Sequence, residues 1–275
     1  MLWHSLRRKK NLLGMFERLC PAADSKRTNK MVLTTLSFPF IFPIIIILLC
    51  DRTKTSSFYA YGYELRSFTL QVSVIYIKIF LLFLAHITFP SLVAILFCNL
   101  CLRCSSCFNR LTRKVLQYSP VEFGSAEQID ILRLKANVDD NLEKLQDIFS
   151  LPSFFVILSN FFTCCSVLGI ILTGDSSMIT IVTVVFVGLP NLVSLIVILW
   201  IAGGLPVEQN KLKDAFGKRA HSRFLTVLSH EELHFKREIL DKTAFVLNGC
   251  NIFSYTRNSI LAVIGTLLTY TLLIF

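Results

Sequence analysis

Four cysteines at a repeat of three are the first residues in this chain whose spacing could do chemistry. The stretch CNLCLRCSSC carries Cys98, Cys101, Cys104 and Cys107. Closely spaced thiolates hold zinc or iron–sulfur clusters, although the fourth ligand of an iron–sulfur run is usually spaced differently. On a helix, each step of three turns the side chain back by about 60°, so four such cysteines fan over about half the circumference and cannot converge on one metal. No metal site is therefore expected. The cysteines stand at the end of an apolar run, where Cys101, Cys104 and Cys107 are candidates for palmitoylation, with unmodified thiols as the alternative. Cys20 and Cys50 fall on opposite sides of the topology derived below, so no disulfide framework is expected.

Polar groups inside apolar runs are the second candidates, because ionisable side chains in lipid are costly and often functional. Lys78 is close enough to the start of its run to snorkel outward. His86 lies deeper, where it could contact a ligand, relay protons or hydrogen-bond a neighbouring helix. Asn160 and Asn191 suit hydrogen bonds between helices, or the lining of a pathway. No nucleotide loop, zinc-type Cys/His spacing or nucleophile with a base accompanies them, so neither an enzyme nor a cofactor is expected.

The elements that must position these residues follow from composition. Of 275 residues, 53% are hydrophobic and only 17% charged, with 24 Phe and a mean hydropathy of +0.61. That balance is too apolar for a water-soluble surface and indicates an all-α membrane protein, a polytopic bundle of transmembrane helices. A bilayer core of about 30 Å needs about 20 apolar residues as helix, and five runs qualify: 31–50, 72–101, 154–173, 178–202 and 258–275. The second run exceeds one crossing and must tilt, kink at Pro90 or project into the cytosol, and Pro190 is expected to kink the fourth.

Lys and Arg near span ends are retained in the cytosol. Segments 1–30, 102–153 and 203–257 carry eight, seven and nine of them, against three in 51–71 and none in 174–177. This places the N-terminus and two connecting segments, 102–153 and 203–257, inside, the 51–71 loop and the 174–177 turn outside, and the C-terminus outside. Residues 1–30 then form a basic cytosolic segment, and 31–50 reads as a signal anchor. The net charge of +10 is a topology signal, and no nucleic-acid partner is expected.

Within the 102–153 loop, seven acids balance seven bases. Ile129, Leu132, Leu142, Leu145 and Phe149 predict an amphipathic helix over 126–149. A second helix is predicted over 229–247, opened by the capping-box pair Ser229 and Glu232 and carrying Leu233, Leu240 and Phe245. Together the two suggest a helical cytosolic anchor.

In the last run Ser259, Ala262, Thr266, Thr269 and Leu273 recur at intervals of three and four, which gathers small and mildly polar side chains on one face. Such a stripe serves either close helix packing or the wet wall of a pore, and periodicity alone favours packing. The whole ending, NGCNIFSYTRNSILAVIGTLLTYTLLIF, resembles the C-terminal signature of the arthropod gustatory receptors, a family of seven-transmembrane chemoreceptors. Gly249, Phe253, Arg257, Leu261 and Gly265 stand where that family tends to have Gly, aromatic, Arg, Leu and Gly, and Thr269 and Tyr270 match its Thr-Tyr pair.

The resemblance implies seven spans, a long fourth helix, and an anchor built from the fourth-to-fifth and sixth-to-seventh connections. This chain matches from the third span onward. Two N-terminal spans and the Gln-Phe expected after Phe275 have no counterpart, which suggests a C-terminal fragment or partial gene model. The resemblance further implies a homo- or hetero-tetrameric, ligand-gated cation channel in the plasma membrane of a chemosensory neuron, opened by a small organic tastant. Its pore would be lined by Ser259, Ala262, Thr266, Thr269 and Leu273. Phe42, Tyr76, Phe80, His86 and Phe186 are ligand-pocket candidates by depth and character. A secondary transporter using Lys78 and His86, or a non-conducting receptor fragment, are the alternative readings.

Overall fold

The computed structural model describes residues 25–172, 178–226, 239 and 243–274. Ser229, Glu232, Leu233 and Leu240 of the predicted capping box and helix, and the 174–177 turn, lie outside these residues. Helix α1 spans Ser25–Leu49 and starts in the polar SKRTNK segment ahead of the apolar run. Asp51 then caps a short helix α2, Arg52–Tyr59, by accepting from the Thr53 amide at 3.2 Å and the Thr53 hydroxyl at 2.7 Å. The Thr53 hydroxyl is the largest of the causes that hold the Asp51 carboxyl below its ordinary pKa. The stretch 51–71, expected as a loop, therefore contains a helix.

Helix α3 (Phe68–Phe83), a π-helical turn π1 (Leu84–Thr88) and α4 (Phe89–Gln117) follow without a break. A second continuous helix, α5, covers Ser125–Leu172. It joins the two helices expected separately at 126–149 and 154–173, because Pro152 is absorbed inside it. Next come α6 (Met178–Thr183), π2 (Val184–Gly188), α7 (Leu189–Ala202) and, after Gly203 and Gly204, α8 (Leu205–Thr226). A two-stranded hairpin, β1 (Asn248–Gly249) with β2 (Phe253–Ser254), precedes the last helix α9, Asn258–Ile274. Four of the described helical stretches are long and apolar enough to cross a membrane: Lys26–Leu49, Phe68–Gln117, Ser125–Leu172 and Thr180–Leu225. The fifth expected span is shorter, apolar over Asn258–Tyr270. At 17 residues, α9 rises about 26 Å.

Ahead of Pro90, where a kink was one of three alternatives, and of Pro190, where one was expected, the helix widens into a π-turn. Each of the two π-segments ends two residues before a proline, at Thr88 before Pro90 and at Gly188 before Pro190. Proline has no N–H to give the carbonyl four residues back, and its ring collides with that carbonyl in a regular α-helix. Widening the preceding turn relieves the collision and repairs part of the ladder: the amide of Phe89 donates to Leu84 O and that of Leu189 to Val184 O, five residues back.

The chain divides into two compact units. The first contains residues 98–151 and 199–259 of the described chain. Its α5 segment buries Gln128, Ile131, Lys135, Val138, Leu142, Leu145 and Phe149, alternating steps of three and four that keep one seam inward. Leu142, Leu145 and Phe149 fall on the face expected, but Ile129 is 41% exposed and Leu132 half-buried. The seam is set by Gln128 and Lys135, polar residues that hydropathy assigns to the outside. Lys135 is compensated by Asp139 one turn on, at 2.6 Å, as a buried charge must be. The turn between α4 and α5 is tied to α8: Arg219 donates to Leu116 O at 2.8 Å, Arg223 donates to Val121 O, and Phe123 packs edge-on against Phe216 at 5.1 Å.

This unit also corrects the cysteine reading. Cys98, Cys101 and Cys104 are buried free thiols, and Cys107 is disulfide-bonded. Neither state offers the accessible thiol that acylation of Cys101, Cys104 or Cys107 requires, and the bonded Cys107 departs from the expected absence of disulfides. Among the described residues no cluster of His, Cys, Asp or Glu could hold a metal.

The second unit contains residues 25–97, 152–198 and 260–274. Asn160 meets the interhelical expectation by donating from its Nδ2 to Ser194 Oγ at 3.1 Å. Asn191 does not; its Nδ2 donates to Val187 O of its own helix at 2.6 Å, next to the π2 turn.

Gly203 is the position where backbone approach is tightest. A Cβ there would lie 2.6 Å from the Arg257 amide nitrogen and 2.8 Å from Leu199 O and the Thr256 carbonyl carbon, all backbone atoms. Gly203→Ala is expected to destabilise the protein by about 1–3 kcal/mol through overpacking. Gly265→Ala, where nothing lies within 4 Å, is expected to be neutral or to stabilise by about 0.5–1 kcal/mol. Thermal unfolding in detergent distinguishes them, and equal midpoints for the two variants would contradict the packing at Gly203.

Candidate functional site

The residues proposed from depth and aromatic character as a ligand pocket separate into three environments within the second unit. Phe42 is buried, with its ring 4.8 Å from Phe83 and 5.8 Å from Phe186. Phe186 also meets Phe38 edge-on at 6.2 Å. Around these rings pack Ile46, Ile75, Ile79 and Ile87, which seal the inner side of the cluster. Tyr76 and Phe80 form a second group, stacked at 6.1 Å and 8° between ring planes, with Phe40 5.2 Å from Phe80. Both are half-buried. His86 joins neither group. It lies within π1 on the exposed side of the helix, while Ile87 and Thr88 take the inward positions, so its assignment to the pocket does not hold.

Phe83 is the residue that hydropathy reading passed over. It is 1% exposed and stands against Phe42 at the centre of the cluster. Its signal was available: Tyr76, Phe80 and Phe83 recur at steps of four and three on one helix. Phe186 lies inside π2, so the widened turn before Pro190 also sets the direction of its ring. Offset and tilted rings at these separations contribute about 0.5–1.5 kcal/mol per pair beyond area burial. The cluster is apolar and aromatic throughout. Lys78 takes no part; it is exposed and its Nζ sits 5.4 Å from the centre of the Tyr61 ring.

Helix α9 carries the second candidate feature. Its buried face is narrow, with Leu267 buried and Ile260 and Val263 half-buried. Ala262, Thr266, Thr269 and Leu273 are exposed, on a stripe about a third of a turn away from Leu267. A separate exposed face bears Leu261, Ile264 and Leu268. Among the described residues, the stripe is thus not used for packing within the chain. Thr266 Oγ1 donates to Ala262 O at 2.8 Å, which leaves the hydroxyl oxygen able to accept from outside the helix. Ser259 differs from the other stripe members. It is half-buried, its hydroxyl donates to Ser254 O at 2.8 Å and shares a hydrogen bond with the Thr256 hydroxyl, so it is turned back onto the hairpin.

The hairpin and its flanks explain the other signature residues. Gly249 and Phe253 are register partners across the two strands. Between them Cys250 and Asn251 both have positive φ, at 54° and 58°, as the central pair of a type I′ turn requires, and the Ile252 amide donates to Gly249 O at 2.9 Å. Arg257 stacks its guanidinium 4.6 Å from the centre of the Trp200 ring at the end of α7. Tyr270 and Gly265 lie on exposed parts of α9.

No family model matches the chain, and no curated protein matches it in sequence. Among solved structures it is similar to the insect olfactory receptor OR5 from Machilis hrabei, determined in complex with eugenol. The TM-score is 0.69 at 13% sequence identity, and the match covers 99% of this chain and 69% of the receptor chain. The chain thus has the helical-bundle fold of an insect olfactory receptor, a fold of several membrane-crossing helices, at a sequence distance where fold alone is shared.

Proposed function

We propose that this chain is a subunit of a chemoreceptor channel, a multi-pass protein of the plasma membrane that passes cations when a small organic molecule binds. The observation that carries the reading is the stripe of Ala262, Thr266, Thr269 and Leu273, left exposed by its own chain on the last helix of an insect-olfactory-receptor fold. In this reading subunits assemble as a homo- or hetero-tetramer and the stripe from each faces a shared axis. Small hydroxyl-bearing side chains then line a hydrated path, and Leu273 provides an apolar constriction near its end. The N-terminus and the 102–153 and 203–257 segments are cytosolic in this reading, following the cation asymmetry.

The aromatic cluster of Phe42, Phe83 and Phe186, flanked by Tyr76 and Phe80, is the ligand site in this proposal. The similar receptor is in complex with eugenol, a molecule of the size and character such rings accommodate. Binding must favour the open arrangement by differential affinity in order to gate. The resemblance of the C-terminal signature to gustatory receptors makes a tastant the ligand class. A carrier built on Lys78 and His86 receives less support, since both side chains are exposed on the outside of the unit.

Two results are expected. Cysteines introduced at Ala262, Thr266 and Thr269 should allow a charged thiol reagent to block current in the assembled channel, while those at Leu261, Ile264 and Leu268 should not. Block at the second set and not the first would remove the pore assignment. Phe186→Ala should lower sensitivity to an activating organic ligand at least about tenfold, a loss of about 1.4 kcal/mol, without changing single-channel conductance. Unchanged sensitivity would place the ligand elsewhere.

A further inference from the structure

We infer that Gln146 and Ser150, one turn apart on α5, form a positioning clamp that holds the hairpin in the register from which the pore helix starts, and that loosening it shifts the closed-to-open balance. The second clause rests on the channel reading above; the first does not.

The hydrogen bonds are specific. Gln146 uses both ends of its amide on one residue: Nε2 donates to Asn248 O at 2.5 Å and Oε1 accepts from the Asn248 amide at 2.9 Å. Ser150 uses its hydroxyl twice, donating to Asn248 O at 3.0 Å and accepting from the Cys250 amide at 2.9 Å. Two side chains therefore satisfy three backbone groups, and Asn248 O has both lone pairs occupied. A pair of two-residue strands is marginal alone, and its turn places Cys250, a residue with a Cβ, at positive φ. The hairpin thus depends on support from outside, and the clamp supplies it from a rigid helix.

Its register is passed on to α9. The Tyr255 amide donates to Leu247 O at 2.8 Å, and the Tyr255 side chain is buried. Ser259, in the first turn of α9, then donates its hydroxyl to Ser254 O. A continuous path of hydrogen bonds leads from α5 through the hairpin to the first residue of the stripe. This assigns Ser259 a positioning task in place of the pore-lining one expected from periodicity.

One acceptor in the clamp is left over. Asn248 Oδ1 is buried without a hydrogen-bond partner among the described residues. An unsatisfied buried acceptor raises the free energy of this arrangement relative to any in which it is paired, which keeps a second hairpin position within reach of a modest input of binding energy. A two-position element tied by hydrogen bonds to Ser259, in the first turn of the pore helix, is what a gate needs.

The test uses the full chain with Ser150→Ala, Gln146→Leu and the rescue Ser150→Thr, which keeps the hydroxyl. Hydrogen exchange of the segment 247–258 and ligand-free opening in planar bilayers are read side by side. Loss of one clamp bond is expected to raise exchange in that segment about fivefold with little change in the thermal midpoint, and Ser150→Thr restores it. Ligand-free open probability is expected to change by at least about fivefold, with single-channel conductance unaltered. Unchanged exchange in both loss variants would overturn the clamp whatever the currents do. Raised exchange with equal open probability in wild type and variants, zero included, would overturn the coupling and leave the clamp as a structural tie. Absence of any current, with or without an organic ligand, ends the channel reading itself, and exchange alone then decides the clamp.

Discussion

Every backbone donor and acceptor along the apolar stretches must find a partner inside the protein, because lipid offers none, and this constraint organises the structure. It explains why the apolar runs within α1 and α5 are helical throughout. It explains the two π-turns, each placed ahead of a proline that cannot complete the ladder. The same pressure turns hydroxyls inward: Thr35 donates to Met31 O, Thr163 to Ser159 O, Ser166 to Phe162 O and Thr266 to Ala262 O. Where the chain leaves regular helix, at residues 248–254, the groups that a wider sheet would satisfy are taken up by Gln146 and Ser150.

The expectations that survived were those resting on long runs. Helix over the apolar segments follows from composition and length, and the bundle class follows with it. What the sequence concealed lies where polar residues occupy inward positions. On α5 the seam includes Gln128, Lys135 and Asp139, so hydrophobic periodicity chose Ile129 and Leu132 and missed Ile131 and Val138. The ion pair that makes Lys135 tolerable inside is visible only as an i, i+4 spacing, which is equally common on exposed faces. The hairpin was hidden for another reason: its strands have two residues each, too few for an alternating pattern, and its left-handed turn falls on Cys250 and Asn251, two residues on from the Asn-Gly pair that would ordinarily mark it.

The site residues show the same division. Phe42, Phe80, Tyr76 and Phe186 lie in ring contacts with other aromatic residues, whereas His86 is exposed, because depth along a helix does not fix the face. Phe83 is one of 24 phenylalanines, and its ring contact with Phe42 is what distinguishes it. The stripe on α9 was legible as a period, but its use was not, since packing and pore lining demand the same small residues. Exposure of Ala262, Thr266, Thr269 and Leu273 argues against packing among the described residues and leaves contact with a neighbour, with lipid or with water. Ser259, counted on the same stripe, belongs instead to the hydrogen-bonded path that ties α9 to the hairpin.

The most direct measurement is the current carried by the purified protein in a planar bilayer under a potassium chloride gradient, with eugenol as the first of a panel of small organic molecules. The account predicts discrete openings that increase with an organic ligand and reverse near the potassium equilibrium potential. Folded, helical protein that stays silent throughout the panel, or a current reversing near the chloride potential, would contradict it.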